Sequence, residues 1–526
     1  MNNIKIKRAL ISVSDKSGLA ELARVLKGFG AEIITTGGTK VFLDKHKIKT
    51  TPVEKITGFD KTFGGRLKTL NSQIFASILF DRGSSEDVLD AASAWIEPID
   101  LVVCNPYPFV QKSKESMQIE ELIEDIDIGG VALIRAAAKN YQYVAVVSST
   151  KDYHKLMATI RQNGGGTTLS LRKHLACRAF EQTTLYDSAI ANSFEADLGF
   201  CKKTFTTSPL YSKTLRYGEN PHQKGFLYFD VKAEGLAQAE QTCHGELSYN
   251  NYLDANSAVE AVCDIAKNIN SVGFGSVCTI IKHSNPCGAA MAKTPPSALK
   301  LAWSGDPKSS FGSVICFSDK LNSPCAEFLS DKFVEVVIAP DFDPDALNIL
   351  TKKRNLRLIR FPNLCKSFPN NQIRSISGGW LVQTADNQTF VDFKTATTKS
   401  FPKAKLPLAR FGIAVAKNLK SNAISIVAQS EEGLYLVGAG MGNPSRVQSV
   451  KQAIDKALEN GFKNFAEAIL VSDAFFPFED NISLIAEAGI GLVVQPGGSI
   501  RDKKVVQACN KNDIAMVFTQ RRCFLH

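Results

Sequence analysis

The residues with the clearest capacity for chemistry lie where an apolar run ends and polar side chains begin. Lys282 and His283 directly follow Val277–Ile281, and Asn285-Pro286 comes next. Catalytic groups of α/β proteins lie at strand exits, and a residue before proline favours the end of regular structure. Neighbouring strand residues face opposite ways, so both side chains share one site only if the strand ends there. Such a pair can act as general base and acid, and a purely structural histidine is the alternative.

Two other segments of the second half combine rigid and polar side chains. Arg216, Tyr217 and His222 lie in one turn-rich stretch, which suits either a bound anion or an ordinary surface loop. Three phenylalanines surround Pro477 within Ser472–Asp480. Such an apolar wall can stack on a flat heterocycle, or it can line the core.

The first 140 residues offer groups for anion binding and one isolated carboxylate. Ser12–Gly18 and Thr36–Thr39 each follow a predicted strand, so hydroxyls and backbone N–H groups can meet a phosphate there. Arg66 and Lys68 would point to one face of an extended segment. Each feature alone also suits an ordinary turn or solvated surface charge. Asp127 lies between two isoleucines, and a carboxylate buried among apolar residues requires a partner.

Several familiar binding motifs are absent from the sequence. Neither loop fits the glycine-rich patterns of nucleoside triphosphate or dinucleotide sites. Asn285–Gly288 contains Pro-Cys but lacks the second cysteine and the His-x-Glu of zinc deaminases. The twelve cysteines include no C-x-x-C pair, which predicts reduced, mostly buried thiols. We therefore expect chemistry that requires neither a metal nor a redox cofactor.

A sheet is needed to bring these residues together, and the sequence alternates strand and helix patterns. Strands are predicted at 9–14, 32–35, 76–80, 101–104, 144–147, 277–281, 313–317, 334–338, 424–427, 468–471 and 492–495. Helices are predicted at 18–30, 40–46, 151–162 and 169–194. This alternation indicates an α/β fold with a parallel sheet covered on both faces. The polar stretch 202–209 predicts a linker, which divides the chain into domains 1–200 and 201–526.

Composition narrows the class of protein. Hydrophobic residues make up 44% and charged residues 22% of the 526, which is ordinary for a soluble globular chain. No apolar run reaches the length of a membrane span and no signal peptide is apparent, so we expect a cytoplasmic protein without a membrane partner. The net charge of +10 is spread along the chain, which favours small anionic substrates over nucleic acid.

The motifs of the first part, taken in order, resemble the IMP cyclohydrolase domain of bifunctional purine-biosynthesis enzymes. They are S-V-S-D-K-S-G, T-G-G-T, G-G-R-L-K-T-L, C-N-P-Y-P-F, D-I-G-G and R-A-A-A-K-N. The resemblance implies a methylglyoxal-synthase-like domain. The implied substrate-binding residues are Ser14, Lys16, Thr36, Gly37, Gly38, Thr39, Arg66, Thr69, Asn105, Gly129 and Gly130. The implied catalytic residues are Lys68, Tyr107, Asp127 and Lys139.

The later motifs resemble the AICAR transformylase domain of the same family. They are L-R-Y-G-E-N-P-H-Q, S-Y-N-N, K-H-S-N-P-C-G, S-S-F-G, K-S-N-A-I, S-D-A-F-F-P-F and Q-P-G-G-S-I-R-D. The resemblance implies two cytidine-deaminase-like lobes without the metal, and a homodimer. The implied catalytic residues are Lys282, His283 and Asn422. The implied substrate-binding residues are Arg216, Tyr217, His222, Asn251, Phe311, Gly312, Glu335 and Arg522. The implied folate-binding residues are Arg446, Phe475, Pro477, Phe478 and Asp480.

The resemblance implies the last two steps of IMP synthesis. The formyl group of the co-substrate 10-formyltetrahydrofolate passes to AICAR, and formyl-AICAR then closes to IMP with loss of water. One departure concerns Asn71-Ser72, because the family usually has His-Pro after K-T-L. An active transformylase with a weakened cyclohydrolase is therefore an alternative. A non-catalytic, nucleotide-sensing protein is another, and retained Lys282, His283 and Asn422 argue against it.

Overall fold

The computed structural model describes residues 3–58, 67–106, 108–112, 119–198, 211–229, 234–242, 245–268, 273–366, 371–388 and 392–526. Two predicted site residues, Arg66 and Tyr107, lie outside the described residues. The chain divides into two compact units, Met1–Pro209 and Leu210–His526, hereafter unit 1 and unit 2. Their border follows the predicted linker 202–209, which lies outside the described residues.

Unit 1 is built around a five-stranded parallel sheet with the order β4-β3-β2-β5-β6. Its strands are β1 (Asn3–Lys5), β2 (Arg8–Val13), β3 (Glu32–Thr35), β4 (Thr51–Pro52), β5 (Leu101–Asn105), β6 (Ala145–Val147) and β7 (Gly166–Thr168), of which β1 and β7 form a separate antiparallel pair. Its helices are α1 (Leu19–Gly28), α2 (Gly37–Lys45), α3 (Glu54–Thr57), α4 (Ser72–Leu79), α5 (Ser85–Ser93), α6 (Phe109–Lys112), α7 (Ile119–Leu122), α8 (Gly129–Lys139), α9 (Tyr153–Gln162) and α10 (Leu169–Leu198).

The sheet of unit 1 is buried on both faces. Consecutive residues Leu101, Val102 and Val103 point to opposite faces, and all three are buried. From β2 the chain first adds β3 and β4 on one side, and only later β5 and β6 on the other. The strand order therefore reverses between β2 and β5. In open α/β sheets, the crevice at the carboxyl ends of such a strand pair is where ligands bind.

One predicted strand of unit 1 is wrong, and a predicted helix starts earlier than expected. The stretch predicted as a strand at 76–80 belongs to α4, which buries Ile74, Ser77 and Ile78 at helical spacing. Asn71 caps this helix, since its side chain accepts a hydrogen bond from the N–H of Gln73 at 2.9 Å. A short apolar run does not distinguish a strand from a buried helical turn. Helix α2 begins at Gly37, three residues before its predicted start at residue 40.

Unit 2 contains a twelve-stranded sheet and two separate hairpins, β8–β9 and β16–β17. Its strands are β8 (Tyr211–Leu215), β9 (Gly225–Phe229), β10 (Glu240–Gln241), β11 (Ser276–Lys282), β12 (Asn285–Ala292), β13 (Ser313–Phe317), β14 (Val334–Ala339), β15 (Arg357–Arg360), β16 (Asn371–Ile376), β17 (Gly379–Thr384), β18 (Lys394–Thr395), β19 (Ile424–Gln429), β20 (Gly433–Gly440), β21 (Ile469–Ser472), β22 (Leu492–Gln495) and β23 (Ala515–Phe518). Its helices are α11 (Tyr249–Asn268), α12 (Pro295–Gly305), α13 (Ser323–Ser330), α14 (Pro344–Leu350), α15 (Leu406–Lys417), α16 (Arg446–Glu459), α17 (Asp480–Glu487) and α18 (Asp502–Lys511).

The large sheet consists of two halves with the same order of elements. Its strand order is β10-β15-β14-β13-β11-β12-β20-β19-β21-β22-β23-β18. Lobe 1 runs from β10 to β15 and lobe 2 from β18 to β23. Each lobe begins with an edge strand and a helix, continues with an antiparallel hairpin, and ends with three parallel strands. The hairpin strands β12 and β20 join the lobes in the middle of the sheet.

The repeat extends to individual contacts. Thr279 in β11 donates a hydrogen bond to the carbonyl of Ala258 at 3.1 Å, and Ser425 in β19 donates to Gly412 at 2.9 Å. Each hydroxyl thereby fastens the first hairpin strand of its lobe to the preceding helix. Both hairpins also shift register one residue later, after Ile280 and Ile426.

A glycine opposite each register shift lets a helix approach the sheet closely. A Cβ atom at Gly288 would overlap the carbonyl oxygen of Ala302 in α12. At Gly438 it would overlap that of Ala453 in α16. Helix α12 and helix α16 therefore require glycine on the strand beneath them.

The cysteine prediction is wrong for one pair. Cys263 and Cys365 form a disulfide, with their Cα atoms 5.3 Å apart. These residues are separated by 102 positions, and the fold brings them together beside the core of lobe 1. The other cysteines of the described part are free, and most of them are buried.

Two searches of the described part of the chain gave negative results. No helix there is long and apolar enough to cross a membrane. No group of three or more His, Cys, Asp or Glu side chains there is arranged to hold a metal ion.

We predict that Gly288→Ala destabilises unit 2. The new methyl group collides with a backbone oxygen that cannot move without displacing α12, and overpacking of this kind costs about 3 kcal/mol. Chemical denaturation should show a lower unfolding midpoint. Gly275→Ala is the control, since a Cβ atom there meets no neighbouring atom. Equal midpoints for the two variants would contradict the prediction.

Candidate functional site

The carboxyl ends of β2 and β5 in unit 1 are fastened by one side chain. Asn105 accepts hydrogen bonds through Oδ1 from the N–H and the hydroxyl of Ser14, at 2.7 and 2.8 Å, and from the N–H of Asp15 at 3.0 Å. Asp15 in turn accepts from the N–H of Ser17, which lowers the pKa of that carboxyl. Lys16 donates to the carbonyl of Ser14 at 3.2 Å. The loop that the sequence predicts as an anion site is therefore held in one conformation.

The second predicted loop supplies the start of a helix beside the same crevice. Thr36 precedes α2, and its hydroxyl lies 3.0 Å from that of Ser12 in β2. Thr39 is buried and accepts a hydrogen bond from the last N–H of β2 at 3.2 Å. Gly37 and Gly38 form the first turn of α2, where backbone N–H groups point out of the helix end. Helix α2 thus presents a positive end at the mouth of the crevice.

Asp127 is placed at the start of α8 by a backbone bond and a buried phenol. Its Oδ1 accepts from the N–H of Gly130 at 2.7 Å, and its own N–H donates to the hydroxyl of Tyr186 at 2.7 Å. Burial raises the pKa of Tyr186 to about 12, so it remains a neutral donor, and it bonds the carbonyl of Asp125 at 3.0 Å. A Cβ atom at Gly130 would overlap the Asp127 carboxylate.

The start of α8 lies against the end of β5, which joins Asp127 to the crevice. The thiol of Cys104 approaches the carbonyl oxygen of Gly130 at 3.6 Å. Thr69 is buried, and its hydroxyl would lie 2.9 Å from a Cβ atom at Gly129. Lys68 precedes it and is half-buried.

Lys139 is separated from the other predicted catalytic residues of unit 1. It is the last residue of α8, whereas Asp127 precedes the first, which places about 15 Å of helix between them. Lys139 instead lines a cleft of about 370 Å³ with Tyr141, Lys173 and Phe180. Within one chain, the structure does not bring Lys139 against Asp127.

In unit 2, Lys282 and His283 lie at the tight turn between β11 and β12. Lys282 pairs with Asn285 across the hairpin, and His283 and Ser284 form the turn, where the His283 side chain is exposed. The ammonium group of Lys282 donates to the carbonyls of Phe311 and Gly312 at 2.8 and 2.9 Å. Because β11 ends at Lys282, the alternation of strand side chains stops there. Lys282 and His283 can therefore share one site, as the sequence analysis requires.

Helix α11 carries a second set of polar groups to this turn. Asn251 is buried and donates to the carboxylate of Glu335 at 2.8 Å. One turn later, Asp254 accepts from the N–H of Ser284 at 2.7 Å. The neighbouring Asn250 donates to the carbonyl of Glu219 at 3.2 Å. This bond ties the turn-rich stretch from Arg216 to His222, hereafter the anion loop, to the start of α11.

The anion loop itself exposes its cation. Arg216 donates to the hydroxyl of Tyr217 at 2.8 Å and lies 4.7 Å from the centre of its ring. His222 is exposed in the following turn.

Asn422 is the centre of a buried polar network in lobe 2. Its Nδ2 donates to the carbonyls of Asn443 and Pro444 at 2.9 and 3.1 Å, and its Oδ1 accepts from Arg446 at 2.7 Å. The same guanidinium forms an ion pair with Asp473, and these side chains are only 6% and 0% exposed. Within the chain, Arg446 therefore binds Asn422 and Asp473.

The two polar clusters of unit 2 meet at a single amide. Asn285 donates to the carbonyl of His283 at 3.0 Å and accepts from the N–H of Lys420 at 2.9 Å. Ser421, the next residue, donates to Asp473 at 2.7 Å. The side chain of Asn285 therefore links the His283 turn to Lys420, which lies two residues before Asn422.

The predicted aromatic wall is partly a surface and partly core. Phe475 and Phe478 are exposed, and Arg501 lies 4.4 Å from the centre of the Phe478 ring. Phe476 is completely buried, and its N–H donates to Gln495.

The remaining predicted binding residues lie at the margins of this cluster. Pro477 is half-buried, and Asp480 begins α17. Arg522 stacks on Phe524 at 4.9 Å, and the adjacent N–H of Cys523 donates to the carbonyl of Asp473 at 2.9 Å.

Known proteins resemble this chain over its whole length. A family model described as AICARFT/IMPCHase bienzyme matches residues 137–456, and one described as MGS-like domain matches residues 18–132. The bifunctional purine biosynthesis protein PurH of Persephonella marina is 41% identical over 527 residues, which cover 99% of this chain and 100% of that protein. The protein of the same name from Aquifex aeolicus is 41% identical over 522 residues, with the same coverage. The chain belongs to the AICARFT/IMPCHase bienzyme family.

Membership in the bienzyme family confirms several predictions. The chain is a bifunctional enzyme of purine biosynthesis, with AICAR formyltransferase and IMP cyclohydrolase activities. The methylglyoxal-synthase-like fold predicted for the first domain is confirmed, and it contains the five-stranded parallel sheet. The transformylase activity implies a formyl-folate donor.

Sequence reasoning missed four residues that hydrogen-bond to the predicted site residues or to their neighbours. Asp254 lies three positions after Asn251 on α11, so helical spacing could have placed it on the same face. Asp473 and Asn285 lie inside the quoted motifs without having been assigned roles. Tyr186 has no local signal, because only the path of α10 brings it to Asp127.

We predict that Gly130→Ala impairs IMP cyclohydrolase activity. The added methyl group displaces the Asp127 carboxylate from the start of α8, and a misplaced group of this kind costs roughly a hundredfold in rate. The rate of IMP formation from formyl-AICAR is the measurement. The transformylase rate of the same protein should stay unchanged, and a full cyclohydrolase rate would contradict the prediction.

Proposed function

We propose that unit 2 transfers the formyl group from 10-formyltetrahydrofolate to AICAR and that unit 1 closes formyl-AICAR to IMP. The observation that carries the first assignment is the junction of two polar clusters at Asn285, which brings the His283 turn beside the Asn422 network. The second rests on the crevice between β2 and β5, where Ser14 and Asn105 meet at a reversal of strand order.

His283 acts as the general base of formyl transfer. The amine of AICAR is a poor nucleophile, because its lone pair is conjugated with the ring and the carboxamide. His283 takes the amine proton as the new C–N bond forms to the formyl carbon. The bond from that carbon to N10 of the folate then breaks, and the imidazolium returns the proton to N10. Proton transfer of this kind contributes about 10²–10⁴-fold to a rate.

Lys282 supplies a fixed positive charge beside the base. An ammonium group has three donors, and two of them bind the carbonyls of Phe311 and Gly312. These bonds aim the third donor, which stabilises the negative charge that develops on the formyl oxygen. Asn422 of lobe 2 is oriented by Arg446, and it serves the same oxygen only when one of its two N–H groups leaves the carbonyl of Asn443 or Pro444.

Asp127 and the neighbouring cations act in ring closure. The carboxamide nitrogen attacks the formyl carbon, and Asp127, oriented by the N–H of Gly130, accepts the amide proton. Lys68 stabilises the oxyanion and protonates it to a hydroxyl. This hydroxyl leaves as water with the proton that Asp127 has taken up, while the former formamide nitrogen returns its N–H proton to Lys68 and the C=N bond forms. Tyr107, which lies outside the described residues, would assist this step. Lys139 keeps its proposed catalytic role only if another chain or a movement of α8 brings it to the crevice.

The phosphate of each nucleotide meets backbone N–H groups and cations. In unit 1 these are the loop at Ser14–Lys16 and the start of α2, and Arg66 is assigned to the same phosphate. In unit 2 they are Arg216 and Arg522. Exposed Phe475 and Phe478 suit the flat pterin of the folate.

A fully active cyclohydrolase is favoured over a weakened one. Asn71 replaces the usual histidine of the motif, and its side chain caps α4 at 2.9 Å from the N–H of Gln73. The loop that carries Lys68 and Thr69 therefore leads directly into an anchored helix.

We also propose a homodimer, a cytoplasmic location, two cytidine-deaminase-like lobes, and a reaction without a metal or redox cofactor.

We predict that His283→Ala lowers the transformylase kcat by about 10²–10⁴-fold, because the proton acceptor is lost. Formyl transfer to AICAR is measured with 10-formyltetrahydrofolate. Cyclohydrolase turnover of formyl-AICAR by the same protein shows that the chain is folded. His154→Ala, which removes an exposed imidazole of unit 1, should leave both rates unchanged. An undiminished transformylase kcat would remove His283 from the role of base.

We predict that Asp127→Asn lowers cyclohydrolase turnover by about a hundredfold or more, because a neutral amide cannot accept the proton. The matched control is Asp125→Asn, since the Asp125 carboxylate pairs with Lys112 at 2.7 Å near the surface. Both variants are assayed with formyl-AICAR. Equal rates for the two would exclude Asp127 as the proton acceptor.

A further inference from the structure

The turn that carries His283 has an unfavourable backbone conformation. His283 and Ser284 have φ angles of 51° and 60°, and the other non-glycine residues with positive φ in the described chain are isolated. A two-residue hairpin turn with both φ angles positive favours Asn-Gly, since side chains with a Cβ atom are strained there. Neither position of this turn is glycine. Bonds from elsewhere must therefore hold the turn.

Three sets of hydrogen bonds hold this turn and the residue before it. Asn285 donates to the carbonyl of His283 at 3.0 Å, and the ammonium group of Lys282 is fixed by the two carbonyls of the following loop. The N–H of Ser284 is the remaining anchor. It donates to Oδ1 of Asp254 at 2.7 Å, and the Ser284 hydroxyl lies 3.4 Å from the same oxygen.

Asp254 also connects the turn to the substrate-binding side of lobe 1. It lies one helical turn after Asn251, which bonds Glu335 at 2.8 Å. The pKa of Asp254 is raised, and burial is the main cause. The hydrogen bond from the N–H of Ser284 and the nearby His283 offset part of this rise. A carboxyl group in such surroundings is costly to keep charged, which is common for groups that serve a site.

We propose that Asp254 is a positioning residue for formyl transfer, whose carboxylate holds the His283–Ser284 turn in its left-handed conformation and so aims the imidazole. The proposal rests on the proposed role of His283 as base. Asp254 touches neither the reacting atoms nor the imidazole proton. It acts through the backbone of Ser284.

The test removes the hydrogen-bond acceptor by Asp254→Ala. It then adds Ser284→Gly, with which the turn adopts positive φ without that acceptor. Asp254→Ala should lower the transformylase kcat by roughly ten- to hundredfold, as expected for a small misplacement of a catalytic group, with little change in the KM for AICAR. Asp254→Asn keeps an acceptor oxygen and should retain most of the turnover. In Asp254→Ala/Ser284→Gly, glycine adopts positive φ without strain, so the kcat should recover at least about fivefold over Asp254→Ala.

The controls come from the same helix and the same chain. Asn256→Ala removes an exposed side chain of α11 and should leave formyl transfer unchanged. Cyclohydrolase turnover of formyl-AICAR should be equal in all variants. A full kcat in Asp254→Ala overturns the proposal, and so does a loss that Ser284→Gly does not restore. A raised KM with unchanged kcat also overturns it, since that result assigns Asp254 to substrate binding.

The assay of His283→Ala separates this proposal from the one on which it rests. Unchanged transformylase turnover in His283→Ala removes the base itself. Loss of turnover in His283→Ala together with full turnover in Asp254→Ala removes only the positioning role.

Discussion

The antiparallel pairing of β12 with β20 is the constraint on which the chemistry of unit 2 depends. This pairing joins two lobes into one sheet at Ala290–Ala292 and Gly433–Tyr435. Because the strands are hydrogen-bonded, the hairpin turn of lobe 1 has a fixed distance from the start of β19 in lobe 2. The bond between Asn285 and Lys420 forms only under that condition. The turn that carries the proposed base His283 and the Asn422 network of lobe 2 are thereby held beside each other.

In both units, buried side chains hold a proposed catalytic residue in place. Arg446 and Asp473 are both withdrawn from water, and removing one of them would leave the other unpaired at high cost. The pair keeps Asn422 in one orientation. In unit 1 a neutral phenol, Tyr186, does the comparable work for the backbone of Asp127. Each of these proposed catalytic residues is thus held by a neighbour to which no catalytic role is assigned.

The sequence was sufficient for the α/β class and for the methylglyoxal-synthase-like first domain, and several of its motifs lie at strand ends in the structure, as at Ser14, Asn105 and Lys282. The strands at 313–317 and 492–495 have the predicted bounds, since their apolar runs are flanked by clear turn residues. The apolar run at 76–80 is too short for its periodicity to distinguish a strand from a helix. In the structure it belongs to a helix that Asn71 caps. Partners such as Tyr186 and Asp127, or Cys263 and Cys365, are far apart in the chain. Only the path of the backbone brings them together.

The internal repeat of unit 2 separates two kinds of selection within one molecule. Gly288 and Gly438, like Thr279 and Ser425, keep the same size or the same hydroxyl in both lobes because the helix above them requires it. The hairpin turns differ, with His283-Ser284 in one lobe and Ser430-Glu431-Glu432 in the other. The two lobes can therefore be compared with each other. The agreement at these two pairs is explained by the packing of a helix on the sheet, whereas the differing turn of lobe 1 carries the proposed base His283.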